Sequence, residues 1–185
     1  MHSVSQIQQE VQKFFSSVDE SLANEVKLSQ FLEQLSTVSV KMVEETEENT
    51  LRQLMIILLK VISAAPAHIA ISACDKVLQY LKKISLMYDL FNPNTELLKK
   101  LNLKRLVTAK QSEIVYDLMI FILRYYSDVD YDDYDLGPQG KELLMKEEKK
   151  RLYLTLDHIL VRQDKIQDDL KGHSVDYPSD RDKDS

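Results

Sequence analysis

Apolar side chains recur at spacings of three and four along the first part of the chain. One such set falls on a single face of an α-helix: Val4, Ile7, Val11, Phe14, Phe15 and Val18. The spacing continues from residue 22 to residue 38, and the polar sequence EETEENT at 44–50 interrupts it. The pattern predicts N-terminal helices over residues 1–50 that pack on the rest of the protein.

The apolar pattern becomes broader in the central part of the chain. The sequence LRQLMIILLKVI at 51–62 is apolar on almost every side, which is typical of a buried helix. Pro66 disfavours a helical residue before it and suits the first turn of the next helix, which we predict over 69–85. Two short helices and a long one at 112–126 follow. We therefore predict a compact bundle of about five helices over 51–127.

The last third of the chain consists of three segments of different composition. Residues 128–140, DVDYDDYDLGPQG, contain two of the three glycines and one of the four prolines, which predicts an acidic linker. The next segment, 141–170, is strongly charged and carries one apolar stripe, typical of an amphipathic helix that packs on the bundle or forms a short coiled coil. Residues 171–185 are rich in Asp, Ser and Lys, and we predict a disordered tail there.

Composition supports an all-α fold. Only 3 glycines and 4 prolines occur in 185 residues, so few residues break helices, and Leu, Lys, Glu and Gln favour them. No apolar run reaches the roughly 18 to 20 residues of a membrane span. Cys74 is the single cysteine, which excludes an intramolecular disulfide and leads us to expect an intracellular protein.

The charge is unevenly distributed. Residues 1–50 carry 3 basic and 9 acidic residues, residues 51–128 carry 11 and 6, and residues 129–185 carry 10 and 15. The net charges are thus −6, +5 and −5. Because surface charge attracts partners of opposite sign, the basic centre is where we expect a ligand.

The sequence lacks the common signs of catalysis and of bound cofactors or metals. No glycine spacing matches a phosphate-binding loop, and the four histidines are isolated from one another and from Cys74. Helical apolar neighbours predict that Cys74 is buried and is not a nucleophile. We therefore expect no enzyme activity, cofactor or metal.

The acidic run that starts at Asp128 resembles a calcium-binding loop only in part. Asp128, Asp130 and Asp132 match the first, third and fifth ligands of such a loop. Asp133 stands where a glycine must turn the chain, and Gln139 stands where a bidentate Glu should bind. The mismatch favours a solvated acidic linker.

The string TELLKKLNLKRLVTAKQSEIVYDLMIFIL at 95–123 carries a family resemblance. Together with the helix order over 51–127, it is similar to the TFIIS N-terminal domain family, which includes the integrase-binding domain of the chromatin-tethering protein LEDGF. The matching pattern consists of an acidic residue, two apolar residues, a further apolar residue, a basic residue and a valine. In this chain those are Glu96, Leu97, Leu98, Leu103, Arg105 and Val107.

The resemblance implies a binding module without catalysis, in nuclear proteins of transcription elongation and chromatin. Such domains capture disordered acidic segments with aromatic or aliphatic anchors, between the loop that joins the first two helices and the loop before the last helix. In this chain those loops are 61–66 and 102–107. We expect an apolar pocket at their tips, flanked by basic residues that attract acidic partners. The pocket residues are Val61, Ile62, Leu103 and Leu106, with Val107 beside them, and the basic residues are Lys99, Lys100, Lys104, Arg105 and Lys110.

Other interpretations remain open. Leu103 and Leu106 can equally belong to the core, with the lysines as solvated helix surface. The acidic, aromatic residues 128–135 can compete for the basic site from within the chain. The whole protein can instead be a structural helical subunit, with self-association through 141–170. Direct binding of nucleic acid is not expected, because acidic regions flank the basic block and no aromatic residues interleave its basic face.

Overall fold

A computed structural model describes residues 3–91, 95–107 and 112–175. Within these residues all regular structure is helical and no strand occurs, which confirms the predicted all-α class. The described α-helices are α1 (Val4–Ser16), α2 (Val18–Ser21), α3 (Glu25–Ser36), α4 (Val40–Glu44), α5 (Glu48–Ala64), α6 (Ala67–Lys83), α7 (Ser85–Phe91), α8 (Thr95–Lys99), α9 (Lys104–Val107), α10 (Ser112–Tyr125) and α11 (Gly137–Val175). A 3-10 turn at Tyr131–Asp133 lies between α10 and α11.

Two long helices, α5 and α6, form the centre of the packing. Helix α5 contacts α1, α6 and α7, whereas α6 contacts α3, α5, α7, α9 and α10. Such contacts on several sides require side chains that are apolar nearly all round. The fully buried residues of α5 include Leu51, Leu54, Met55, Ile57 and Leu58. The buried helix predicted over 51–62 is present and extends further at both ends.

Helix α5 ends where the sequence predicts an interruption. Ala65 is extended, with φ −79° and ψ 163°, because the ring of the following proline disfavours a helical backbone there. Pro66 is the N-cap of α6, one position before the first turn in which we placed it.

The chain divides into two compact units, Met1–Lys141 and Glu142–Ser185. The first unit takes in the N-terminal helices, the central bundle and residues 128–140. Val129 and Tyr134 are buried, so the predicted linker is not wholly solvated. Its last residues, from Gly137, belong to the first turn of α11, where Pro138 is tolerated because early helical N–H groups have no acceptor within the helix.

The second unit consists, in its described part, of the continuation of α11. The helix reaches Val175, so residues 171–175, predicted to be disordered, are helical. Gly172 costs about 1 kcal/mol relative to alanine and does not break the helix. Residues 176–185, the rest of the predicted tail, lie outside the described residues.

None of the helices over 3–91, 95–107 and 112–175 combines the length and apolar content needed to cross a membrane.

Replacing Leu58 by alanine should lower the free energy of unfolding by about 2–5 kcal/mol, because Leu58 is fully buried on α5 and its loss leaves a cavity in the core. Urea denaturation measures this change. Val26→Ala is the control, since Val26 is 66% exposed on α3 and should change stability by less than about 0.5 kcal/mol. Equal effects of the two substitutions would contradict this account of the core.

Candidate functional site

The four aliphatic residues assigned to a loop-tip pocket lie inside the protein. Val61, Ile62, Leu103 and Leu106 are each no more than 1% exposed. Val61 and Ile62 are in the last turns of α5, which continues to Ala64, and are not in a loop. The expectation that the bundle leaves these side chains uncovered is wrong, and the alternative assignment of Leu103 and Leu106 to the core is confirmed. Val107, the last residue of α9, is half-buried.

The two segments predicted to face each other do meet, through an arginine. The Arg105 guanidinium Nη2 donates a hydrogen bond to the backbone carbonyl of Ile62 over 2.9 Å. In a continuous helix, that carbonyl would accept from the N–H four residues later, but that residue is Pro66, which has no N–H. Arg105 therefore satisfies a carbonyl at the end of α5 that the proline leaves without its usual donor.

The surroundings of Arg105 fit a structural role. It is half-buried, and this burial lowers the pKa of its guanidinium, an effect that the nearby Cys74 partly opposes. Cys74 is fully buried on α6, as predicted. Burial raises the pKa of its thiol to about 12, although Arg105 acts in the opposite direction. A buried protonated thiol is a poor nucleophile.

The three predicted lysines, in contrast, lie at the surface. Lys100 and Lys104 are exposed and Lys99 is half-buried. None of the three has an ion pair within the described part of the chain. Their ammonium groups therefore remain available to an acidic ligand. Lys110 lies outside the described residues.

These lysines line a cavity of about 240 Å³ together with part of the acidic segment. We name it the 99–104 cavity. One wall is formed by the end of α8, the turn after it and the start of α9, and the other by the last residue of the 3-10 turn and the two residues after it. Its lining residues are Lys99, Lys100, Leu101, Asn102, Leu103, Lys104, Asp133, Tyr134 and Asp135. The cavity thus brings together two segments with opposite charge that are about thirty residues apart in sequence.

Tyr134 is the unusual residue of this cavity. It is 2% exposed, and its hydroxyl is buried without a hydrogen-bond partner among the described residues. Burial, together with Asp133, raises the pKa of the phenol well above its usual range. A buried hydroxyl without a partner costs about 1–3 kcal/mol. The buried position of Tyr134 therefore carries an energetic cost that a hydrogen-bond partner would remove.

The acidic segment is held by its own hydrogen bonds. The Asp130 carboxylate accepts from the Asp132 N–H over 2.8 Å, and the Asp133 carboxylate accepts from the Asp130 N–H over 2.9 Å. Lys141 Nζ forms a 3.0 Å ion pair with Asp132 Oδ1. These carboxylates cap a 3-10 turn, and no group of three potential metal ligands occurs among the residues described.

An aromatic cluster fixes the end of α10, just before the acidic segment. The Tyr88 hydroxyl donates to the Tyr125 carbonyl over 2.9 Å, and the Tyr126 hydroxyl donates to the Tyr88 carbonyl over 3.2 Å. The Tyr88 and Tyr126 rings stack with centroids 5.2 Å apart. Sequence reasoning missed this cluster, although the adjacent tyrosines at 125 and 126 were its signal.

Two other cavities, both lined by residues of the first unit, are chemically less distinctive. The stacked rings of Phe14 and Phe31, with centroids 4.3 Å apart, line one of about 190 Å³ with mixed polar neighbours. The other, of about 400 Å³, lies beside the 2.7 Å pair formed by His68 and Glu25 and is lined by both acidic and basic residues. Neither combines several cations that lack ion pairs with a buried polar group that lacks a partner.

Comparison of the chain with protein-family models, with curated proteins and with solved structures finds no match in any of the three. The resemblance to the TFIIS N-terminal domain family therefore rests on the residues quoted for it.

Replacing Arg105 by alanine should lower the free energy of unfolding by about 1.5–3 kcal/mol, because the Ile62 carbonyl loses a charged donor. Chemical denaturation measures the loss. Lys104→Ala is the matched control on the adjacent, exposed residue and should change stability by less than about 0.5 kcal/mol. If Arg105→Ala were as mild as its control, the capping role of Arg105 would be refuted.

Proposed function

We propose that this protein is a non-catalytic interaction module that docks short acidic segments with aromatic anchors at the 99–104 cavity. The single observation that carries the proposal is that residues 133–135 of the same chain, themselves acidic and aromatic, already form one wall of the cavity beside three lysines. The chain thus provides an internal example of the ligand chemistry. Of the four aliphatic residues of the earlier expectation, only Leu103 lines this cavity, and it is 1% exposed.

Electrostatics supports an acidic ligand. Lys99, Lys100 and Lys104 bring three positive charges to one surface region, and none is neutralised by an ion pair among the described residues. Asp133, one of two aspartates in the cavity lining, uses its carboxylate to accept from the Asp130 N–H. An incoming carboxylate would therefore meet cations without displacing an existing ion pair. Such attraction mainly accelerates encounter and weakens as salt is added.

The internal segment acts as a weak competitor in this proposal. Tyr134 occupies a buried position but leaves its hydroxyl unsatisfied, so a partner that satisfies more polar groups can replace it. The observed affinity is then the intrinsic affinity reduced by the fraction of molecules in which the segment has left the site.

The class of partner follows from the resemblance alone. If the chain works like members of the TFIIS N-terminal domain family, its ligands are disordered segments of nuclear proteins in transcription and chromatin regulation. The chain itself would then be nuclear.

A second candidate function is that of a structural subunit in a helical assembly. It is favoured by the apolar residues of α11, many of which are exposed. The two functions use different parts of the chain and are compatible with each other.

Reversing two charges of the cavity, Lys100→Glu with Lys104→Glu, should weaken binding of an acidic peptide with a Phe anchor about tenfold. Two lost surface attractions of up to about 1 kcal/mol each give this magnitude. Titration of the isotope-labelled protein by NMR measures the affinity and locates the site. The matched control, Lys82→Glu with Lys83→Glu, reverses two exposed lysines that do not line the cavity. Peptide-induced shifts confined to other regions, or equal weakening by the control, would contradict the assigned site.

Replacing Tyr134 by alanine should tighten binding of the same peptide about tenfold, because it removes the internal competitor. Tyr131→Ala is the control, since Tyr131 lies in the same segment but does not line the cavity. Thermal unfolding of both variants checks that the fold is retained. Weaker binding to a folded Tyr134→Ala variant would mean that Tyr134 is part of the ligand site and not its competitor.

A further inference from the structure

The exposed large apolar side chains of the described residues are concentrated on one helix. Of thirteen such residues, eleven lie on α11 between Leu143 and Leu170. Scattered single exposed apolar residues are ordinary, but a continuous series on one helix marks a surface for interaction. The spacing of the apolar residues and the charges of α11 indicate which partner binds this surface.

The spacing of these residues fits a coiled-coil seam. Intervals of seven, four, three, seven and four residues connect six of them: Met145, Leu152, Leu156, Ile159, Ile166 and Leu170. These are the first and fourth positions of a heptad repeat, which lie on one side of a helix. All six are between 42% and 59% exposed. Lys149 and Gln163 fill the two remaining seam positions.

We propose that this seam pairs with the same seam of a second copy of the chain, in antiparallel orientation. The antiparallel register that centres on the middle of the seam places Leu156 opposite Ile159 of the second copy. It also places Met145 opposite Leu170 of the second copy. Leu152 then faces Gln163 of the second copy, and Ile166 faces Lys149. The two copies are related by a two-fold rotation axis, as a symmetric dimer requires.

Charge selects the antiparallel orientation. In this register the sequence KEEKKR at 146–151 runs beside DKIQDD at 164–169 of the second copy. The first has four basic and two acidic residues, a net +2, and the second has one basic and three acidic residues, a net −2. A parallel pair in register would place +2 beside +2 and −2 beside −2. Like charges along a helix interface are unfavourable, so the parallel arrangement is disfavoured.

The composition of the seam also indicates reversible pairing. Lys149 and Gln163 are polar residues at seam positions, which specify register at the expense of stability. The dimer is therefore expected to dissociate on dilution. This pairing does not depend on the 99–104 cavity, and neither proposal fails with the other.

Sedimentation equilibrium of the full chain over a concentration series tests the pairing. The mass should rise from that of one chain to that of two. Leu156→Glu should abolish the dimer, because it places a charge at the centre of the seam. Val161→Glu is the matched control: Val161 is 67% exposed on the opposite side of α11 and should leave the dimer intact. Circular dichroism compares the helix content of the two variants. A wild-type chain that stays monomeric throughout, or a Val161→Glu variant that dissociates while Leu156→Glu does not, would overturn the proposal.

Disulfide formation between two single variants tests the orientation. When M145C and L170C chains are mixed and oxidised, antiparallel pairing should give mainly the cross-linked product of one chain of each kind. A parallel pair would instead join M145C to M145C and L170C to L170C, and that result would overturn the orientation. The wild-type chain is the control, because its buried Cys74 should form no cross-link.

Discussion

The hydrogen bond from Arg105 to the Ile62 carbonyl joins the centre of the bundle to its basic surface. Its origin is a constraint of covalent chemistry: a proline four residues after a helical carbonyl cannot supply an N–H. In this chain Pro66 ends α5 and leaves the Ile62 carbonyl without an N–H donor. The Arg105 side chain of α9, about forty residues later, donates to that carbonyl instead. The same bond holds α9 against the end of α5. The neighbouring lysines therefore lie on a segment whose position this bond stabilises, although they take no part in the bond.

The packing of α5 and α6 determines which side chains remain at the surface. Helix α5 contacts neighbours on several sides and α6 contacts still more, so the apolar residues of the short connecting helices are drawn inwards. Leu103 and Leu106 follow this rule, which explains why the basic region offers charged and polar groups in place of an aliphatic pocket. A ligand at this surface gains mainly through charge, and the apolar residues of the cavity lining are Leu101, Leu103 and Tyr134.

Much of the fold could be predicted from the sequence, because periodic apolar residues and rare glycines define helices locally. The buried helix at 51–62 and the break at Pro66 are examples. The site could be predicted only in part. The lysines were identified from charge, which is a property of composition, but the burial of Val61 and Ile62 depends on how far α5 extends. The burial of Val129 and Tyr134 also depends on contacts between distant segments. An acidic sequence with two glycines gives no local sign of such contacts, and for that reason residues 128–140 were predicted to be a solvated linker.

Gly137 adopts a left-handed conformation, with φ 72°, which residues with a side chain rarely adopt. It begins α11 only three residues after Tyr134, so the chain has almost no slack between the cavity wall and the start of the longest helix. A displacement of the backbone at Tyr134 is therefore accommodated either in Asp135, Leu136 and Gly137 or in the first turn of α11. Where the start of α11 and the occupancy of the cavity are coupled through this stretch, thermodynamic linkage requires the coupling free energy to be the same in both directions. The short stretch from Asp135 to Gly137 would then transmit changes between the cavity and the start of α11.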